Sequence, residues 1–153
     1  MHALQLKLPP PLLCLACLAL MFFAAASGPR LNLWLEWRSA FSLLLTLAGL
    51  ALAYAGRQSF RRAKTTANPM RPEQSSALVV DGVYRYTRNP MYLGLLLVLL
   101  GFAVYLAALY SLSGPLVFVL YLSYFQIKPE EQILQQKFGD AYLDYCQRVR
   151  RWL

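Results

Sequence analysis

Histidine occurs once, as His2, and acidic residues number only seven against fifteen lysines and arginines. A lone histidine at the N-terminus leaves the body of the chain without an imidazole for acid–base work and without a ligand set for zinc. Cysteine is scarce too, and three of them make no disulfide framework. Cys14 and Cys17 have the C-x-x-C spacing of a redox or metal pair. They stand in an unbroken apolar run with no other ligand nearby, so small buried hydrophobes are the simpler reading. Cys146 reads as a packing residue of the tail. Charged residues make up only 14% of the chain, against about 25% in soluble domains. That scarcity argues against a water-soluble core.

What is present is 58% hydrophobic residues, gathered in runs, in 153 residues that suit one domain. The expected fold is all-α: a polytopic membrane protein with four transmembrane helices and an amphipathic C-terminal helical tail. The spans fall at about 12–27, 39–56, 91–110 and 112–127. The first, apolar from Leu12 to Ala26, is short; a signal peptide ending at Ala24-Ala25-Ala26 is the rival to a retained span. Trp34 and Trp37 suit an interfacial aromatic belt. Between spans two and three, residues 57–90 form a polar loop with Arg57, Arg61, Arg62, Lys64, Arg71, Arg85 and Arg88 against only Glu73 and Asp81. A net charge of +8 would suggest nucleic acid in a soluble protein. Here the cations lie between apolar runs, and the positive-inside rule explains them without a nucleic-acid partner. The N-terminus, loop 57–90 and the C-terminus are therefore expected in the cytoplasm, with plasma or inner membrane as the host.

Only Ser111 to Ser113 separates the last two spans. So short a turn predicts a helical hairpin, which brings the start of span three beside the end of span four. Two charged clusters would then share one membrane surface: Asp81-Gly-Val-Tyr-Arg-Tyr-Thr-Arg-Asn-Pro-Met-Tyr-Leu-Gly94 and Lys128-Pro-Glu-Glu131. Asn89-Pro90 suits the start of a helix, with Asn89 as N-cap and Pro90 in the first position. Arg88 beside a helix N-terminus forms a receptor for a carboxylate, or snorkels to lipid phosphate. Pro129 suits a helix start with Glu130 and Glu131 in its first turn; two adjacent acids facing a basic cluster also suit a site that needs negative charge. Tyr84, Tyr86 and Tyr92 supply aromatic walls that favour a sulfonium cation. The tail, 128–153, carries Leu134, Phe138, Tyr142, Tyr145, Val149 and Trp152 at helical steps, broken near Gly139-Asp140. That stripe lies on the membrane or folds back over the site.

These residues resemble the isoprenylcysteine carboxyl methyltransferase and phospholipid methyltransferase family of membrane enzymes. The first half of its pattern is carried by Gly82, Tyr84, Arg88, Asn89-Pro90, Tyr92 and Gly94. The second half is carried by Glu130-Glu131, Leu134, Phe138-Gly139, Tyr142, Tyr145 and Arg148-Val149. Asn89 stands where the family has histidine; an amide keeps a hydrogen bond but does not titrate. The resemblance implies an S-adenosyl-L-methionine-dependent methyltransferase acting on a lipophilic or lipidated acceptor that offers a carboxylate, thiol or amine. It implies cofactor binding by Tyr84, Arg88, Asn89, Pro90, Tyr92, Gly94, Glu130 and Glu131, and catalytic roles for Arg88 and Arg148 on a substrate carboxylate, with no metal. Two alternatives remain at this point. One is an NADPH-dependent reductase of the sterol or enone type, which has a similar Arg-His-Pro segment. The other is a non-catalytic adaptor on the same scaffold.

Overall fold

Leu35–Arg62 forms a long helix, α2, and its apolar face fits α3, Pro90–Leu106, through a seam of small residues. Backbones can approach closely where side chains are absent, which is how membrane helices associate. A Cβ built on Gly49 would stand 2.5 Å from the Gly94 carbonyl, and one on Gly94 would stand 2.5 Å from that of Gly49. Gly101 faces Thr46 and Ser42 in the same seam, and Gly56 faces Met91. The computed structural model describes residues 5–32 and 35–153, so His2 and Trp34 lie outside the described residues.

The first helix, α1 (Pro10–Ser27), packs on α3 and on α4 (Ser113–Tyr121). Met21 fills the space left by Gly114, and Cys14, Cys17, Leu99, Phe118 and Leu122 close the core around it. Both cysteines are buried free thiols. The outward faces of α1, α2 and α4 carry exposed Phe22, Phe23, Phe41, Leu44, Leu47, Leu116 and Leu120. Three helical stretches are long and apolar enough to cross a membrane: Pro10–Ser27, Glu36–Arg62 and Leu109–Phe138; Pro90–Leu106 is a shorter apolar helix. No strand occurs among the described residues.

The connection between α3 and α4 is longer than Ser111–Ser113. Ala107 takes the left-handed conformation (φ 46°) and stops α3 at Leu106. Residues 107–109 pair with the loop after α1, where Leu31 N–H donates to the Ala107 carbonyl and Leu109 N–H to that of Pro29. A 3₁₀ turn, Leu109–Leu112, then leads into α4.

Beyond α4 the helix does not restart at Pro129. It runs on through a π turn, Leu122–Ile127, into α5, Lys128–Phe138. Pro129 has no N–H to give the Phe125 carbonyl four residues back. That carbonyl accepts instead from Leu6 N–H at 3.1 Å. Gly139, at φ 53°, turns the chain into α6, Asp140–Arg148. The tail stripe folds inward: Tyr142, Tyr145 and Val149 are buried with Leu78, Val80, Leu134 and Phe138, and Trp152 packs on the core of the helical bundle.

Candidate functional site

The apolar stretch of the last long helix ends at Ile127, and the next turn supplies the acids. Glu130 Oε1 accepts hydrogen bonds from Tyr92 Oη and from Gln126 Nε2, both at 2.5 Å. Tyr92 lies in the first turn of α3, so this contact joins the start of α3 to α5. Neither donor is charged. Burial therefore dominates, and the Glu130 carboxyl is pushed up to about 7. The hydrogen bonds from Gln126 and Tyr92 oppose that rise, and neighbouring Glu131 adds to it.

Glu131, on the adjacent face of α5, has two cationic partners. Arg151 grips it with both oxygens, Nε to Oε1 at 3.0 Å and Nη2 to Oε2 at 2.6 Å. This is the planar fork geometry of a strong arginine–carboxylate pair. Its hydrogen bonds to the Glu131 carboxylate hold the Arg151 guanidinium above its ordinary value. Arg88 makes one contact, Nη1 to Oε1 at 3.1 Å, and its Nη1 also lies against Cys146 Sγ. Arg88 Nε is buried without a hydrogen-bond acceptor. Two guanidinium groups on one carboxylate leave a net positive charge, which suits an anionic group arriving at Arg88.

These groups face one pocket of about 780 Å³, counted to its open mouth. Tyr84, Arg88, Asn89, Tyr92, Glu130 and Glu131 all line it. Residues 66–79 wall one side, including Leu78 and Val79 of the short apolar patch, and α6 contributes Tyr142 and Tyr145. Tyr145 Oη donates to the Tyr84 carbonyl at 2.8 Å, and burial pushes both phenols up. Phe60, Met91, Ile127 and Leu134 make the rest largely apolar. A few fixed polar groups in a largely apolar pocket is the usual form of a small-molecule site.

Other expected residues lie elsewhere. Pro90 is buried at the first position of α3 and Gly94 sits in the α2–α3 seam; neither lines the pocket. Tyr86 is exposed and outside it. Arg148 is exposed on α6, where its Nε donates to the Asp144 carbonyl and the side chain borders a separate cleft with Asp81 and Arg85. Asn89 precedes α3 but makes no side-chain cap; its Nδ2 donates to the Arg151 carbonyl. Arg151, Gln126 and the tail tyrosines were not singled out from sequence as site residues. The four-residue repeat of the tail was the signal for the tyrosines; Gln126 and Arg151 had none.

A family model described as phospholipid methyltransferase matches residues 37–141, more than half of the chain. Protein-S-isoprenylcysteine O-methyltransferase B of Arabidopsis thaliana is 34% identical over 113 residues, covering 74% of this chain and 57% of that protein. Its A counterpart is 33% identical over the same extent. The chain thus spans a little over half the length of these plant relatives. An uncharacterized protein of Haemophilus influenzae is 48% identical over 63 residues, 41% of this chain and all of that one. The match reaches from α2 to the start of α6 and takes in the pocket lining up to Leu134, and the chain, an integral membrane protein by its apolar helices, belongs to the phospholipid methyltransferase family.

Proposed function

We propose that the chain transfers a methyl group from S-adenosyl-L-methionine to a lipophilic acceptor at the membrane–cytoplasm interface. The observation that carries this reading is the pairing, in one apolar pocket, of an acid held only by neutral donors with an arginine whose buried Nε has no acceptor. A methyl donor of this kind has a cationic centre beside an amino-acid head. Glu130 supplies the negative partner for the cation, Tyr84 and Tyr92 the aromatic surface around it, and Arg88 the fork for a carboxylate. The residues present therefore fit the group. When bound, it supplies an electrophilic methyl on a sulfonium.

The protein's own contribution is orientation and exclusion of water. Among the described residues the pocket lining contains no histidine, and a carboxylate acceptor is already ionised at neutral pH. Alignment in a closed site can supply as much as ~7–11 kcal/mol of the barrier. Asn89 and Glu131 hold the arginines in place, Pro90 and Gly94 set the start and seat of α3, and Arg151 steadies Glu131, while Arg148 borders a separate cleft. The apolar wall of Phe60, Met91 and Leu134 suits an acceptor with a hydrocarbon part, offering a carboxylate, thiol or amine. In this reading α1, α2, α3 and α4 all span, with α3 and α4 as a hairpin. The cation-rich end, with loop 57–90 and the tail, faces the cytoplasm.

Calorimetry with S-adenosylhomocysteine on detergent-purified protein tests the site. Wild type binds, and Arg88→Ala and Glu131→Ala each weaken binding by about tenfold or more, the worth of one charged hydrogen bond. No binding by wild type overturns the reading. Incubating a lipid extract with labelled methyl donor then identifies the acceptor.

A further inference from the structure

Gln126 is a buried amide one turn before Glu130, with 1% of its surface exposed. An amide so enclosed must place its two N–H hydrogens on acceptors. One goes to the carbonyl of Pro69 at 2.7 Å, and the other to Glu130 Oε1. Pro69 belongs to the stretch 66–79 that walls the pocket. Within residues 66–72 the remaining hydrogen bonds are local, such as Met70 N–H to Asn68 Oδ1 and Arg71 N–H to the Asn68 carbonyl. Further along, the loop is tied at its surface, by Ser76 N–H to Thr65 Oγ1 and by Lys137 Nζ to the Glu73 carbonyl. Among the described residues, Gln126 therefore makes the hydrogen bond that anchors residues 66–72 to the helical body.

The position of Gln126 has a backbone cause. It stands in the π turn Leu122–Ile127, which ends just before Pro129. The widened turn is accommodated where proline withholds its N–H and Leu6 satisfies the stranded Phe125 carbonyl. Gln126 and Glu130 thereby meet one helical turn apart beside the pocket that Glu130 lines, each also bonded to an element from elsewhere in the chain.

We propose that Gln126 is a positioning residue that couples the pocket loop to Glu130: one side-chain amide both holds the loop closed at Pro69 and orients the carboxyl that faces the ligand. The second half rests on the reading of Glu130 as the negative partner of the methyl donor; the first half does not. The groups facing Glu130 are Tyr92 from α3, Tyr84 from the 3₁₀ turn Gly82–Arg85, Gln126, and its neighbour Glu131. Of these, Tyr92 and Gln126 donate to it. Removing Gln126 leaves one donor, and the ionised form of Glu130 loses stabilisation. Opening of the loop and ionisation of Glu130 thus become linked, because both draw on the same amide.

The test is amide hydrogen exchange of the full-length protein in detergent, with donor binding measured across pH, for wild type, Gln126→Leu and Gln126→Glu. Leucine keeps the size and removes both donors. Glutamate keeps the shape and, once ionised, has no hydrogen to give. In the absence of ligand, exchange across residues 66–72 rises by about tenfold in both variants, the worth of one hydrogen bond. Exchange in α1 and α2 stays at the wild-type rate. The pH midpoint for S-adenosylmethionine binding moves upward in Gln126→Leu. Unchanged loop exchange in both variants overturns the coupling, as does a freed loop with an unmoved midpoint. If wild type binds no donor, the function reading fails, and loop exchange alone decides whether Gln126 anchors the loop. Should Gln126→Leu not survive extraction, Gln126→Glu carries the same comparison.

Discussion

The side-chain amide of Asn89 donates to the main-chain carbonyl of Arg151 at 2.9 Å, across 62 residues of sequence. Two further contacts run beside it: Arg88 N–H to the Arg150 carbonyl at 3.0 Å, and Thr87 Oγ1 to the Arg151 carbonyl at 3.4 Å. Residues 87–89 therefore hold the end of the tail by its backbone. This places the Arg151 guanidinium on Glu131 and seats α6 over the pocket. An asparagine that looks like a helix cap serves as a latch for the chain's last turn.

Loss of that latch has a measurable consequence. Asn89→Ala removes one hydrogen bond, worth about 0.5–1.5 kcal/mol, and Asn89→Asp sets a carboxylate against a carbonyl. Both speed tryptic cleavage at Arg148, Arg150 and Arg151, with Asp the faster, and both weaken S-adenosylhomocysteine binding severalfold. Asn89→His, which still has an N–H to offer, restores protection. Equal cleavage in all four proteins would show that the tail is held by other contacts.

Glu131 is shared by Arg88 and Arg151, whose side chains are 14% and 33% exposed, so their effects are not additive. A double-mutant cycle on Arg151→Ala and Glu131→Gln, read by thermal unfolding in detergent, gives a coupling of about 1–3 kcal/mol. An additive result would mean that the pair contributes nothing beyond its screened surface charges.

Ionisation of Glu130 sets a pH dependence. Its carboxyl is pushed up from 4.5 to about 7, chiefly by burial. Between those values the folded state binds more protons than the unfolded state. Stability of the ligand-free protein therefore falls as pH rises through that window and levels off above it. A sulfonium ligand prefers the ionised acid. Its affinity rises from pH 6 to pH 8, by about tenfold for each unit below the midpoint. S-adenosylhomocysteine, without the sulfonium charge, changes far less. Parallel pH titrations of the two ligands check this, and Glu130→Gln abolishes the difference.

Gly94 tests helix contact separately from the pocket. A methyl group there meets the Gly49 carbonyl and the Ala53 backbone, so Gly94→Ala forces α2 and α3 apart at a cost of about 1–3 kcal/mol. The variant loses thermal stability in detergent while its S-adenosylhomocysteine affinity, measured at low temperature, stays near wild type. A large loss of affinity with unchanged stability would place Gly94 at the ligand instead.

Hydropathy by itself determined that the described chain is helical and membrane-directed, because lipid permits no unpaired backbone and long apolar runs must close their hydrogen bonds within a helix. Residue type and spacing marked Tyr84, Arg88, Asn89, Tyr92, Glu130 and Glu131, and the break at Gly139 was legible because glycine tolerates its positive φ. Span limits were less so. Nothing in the apolar run from Met91 to Tyr110 signals that Ala107 turns left-handed, since backbone pairing with residues 29–31 holds it there. Only the tertiary structure decided that Arg151 reaches Glu131, since α6 ends at Arg148 and the extended backbone at Val149 carries the last residues back to the start of α3. It also decided that Asn89 latches the tail and that Gln126 bridges loop and acid. Each of those roles depends on a partner about sixty residues away, and a local pattern holds no record of which distant backbone carbonyl a side-chain amide will meet.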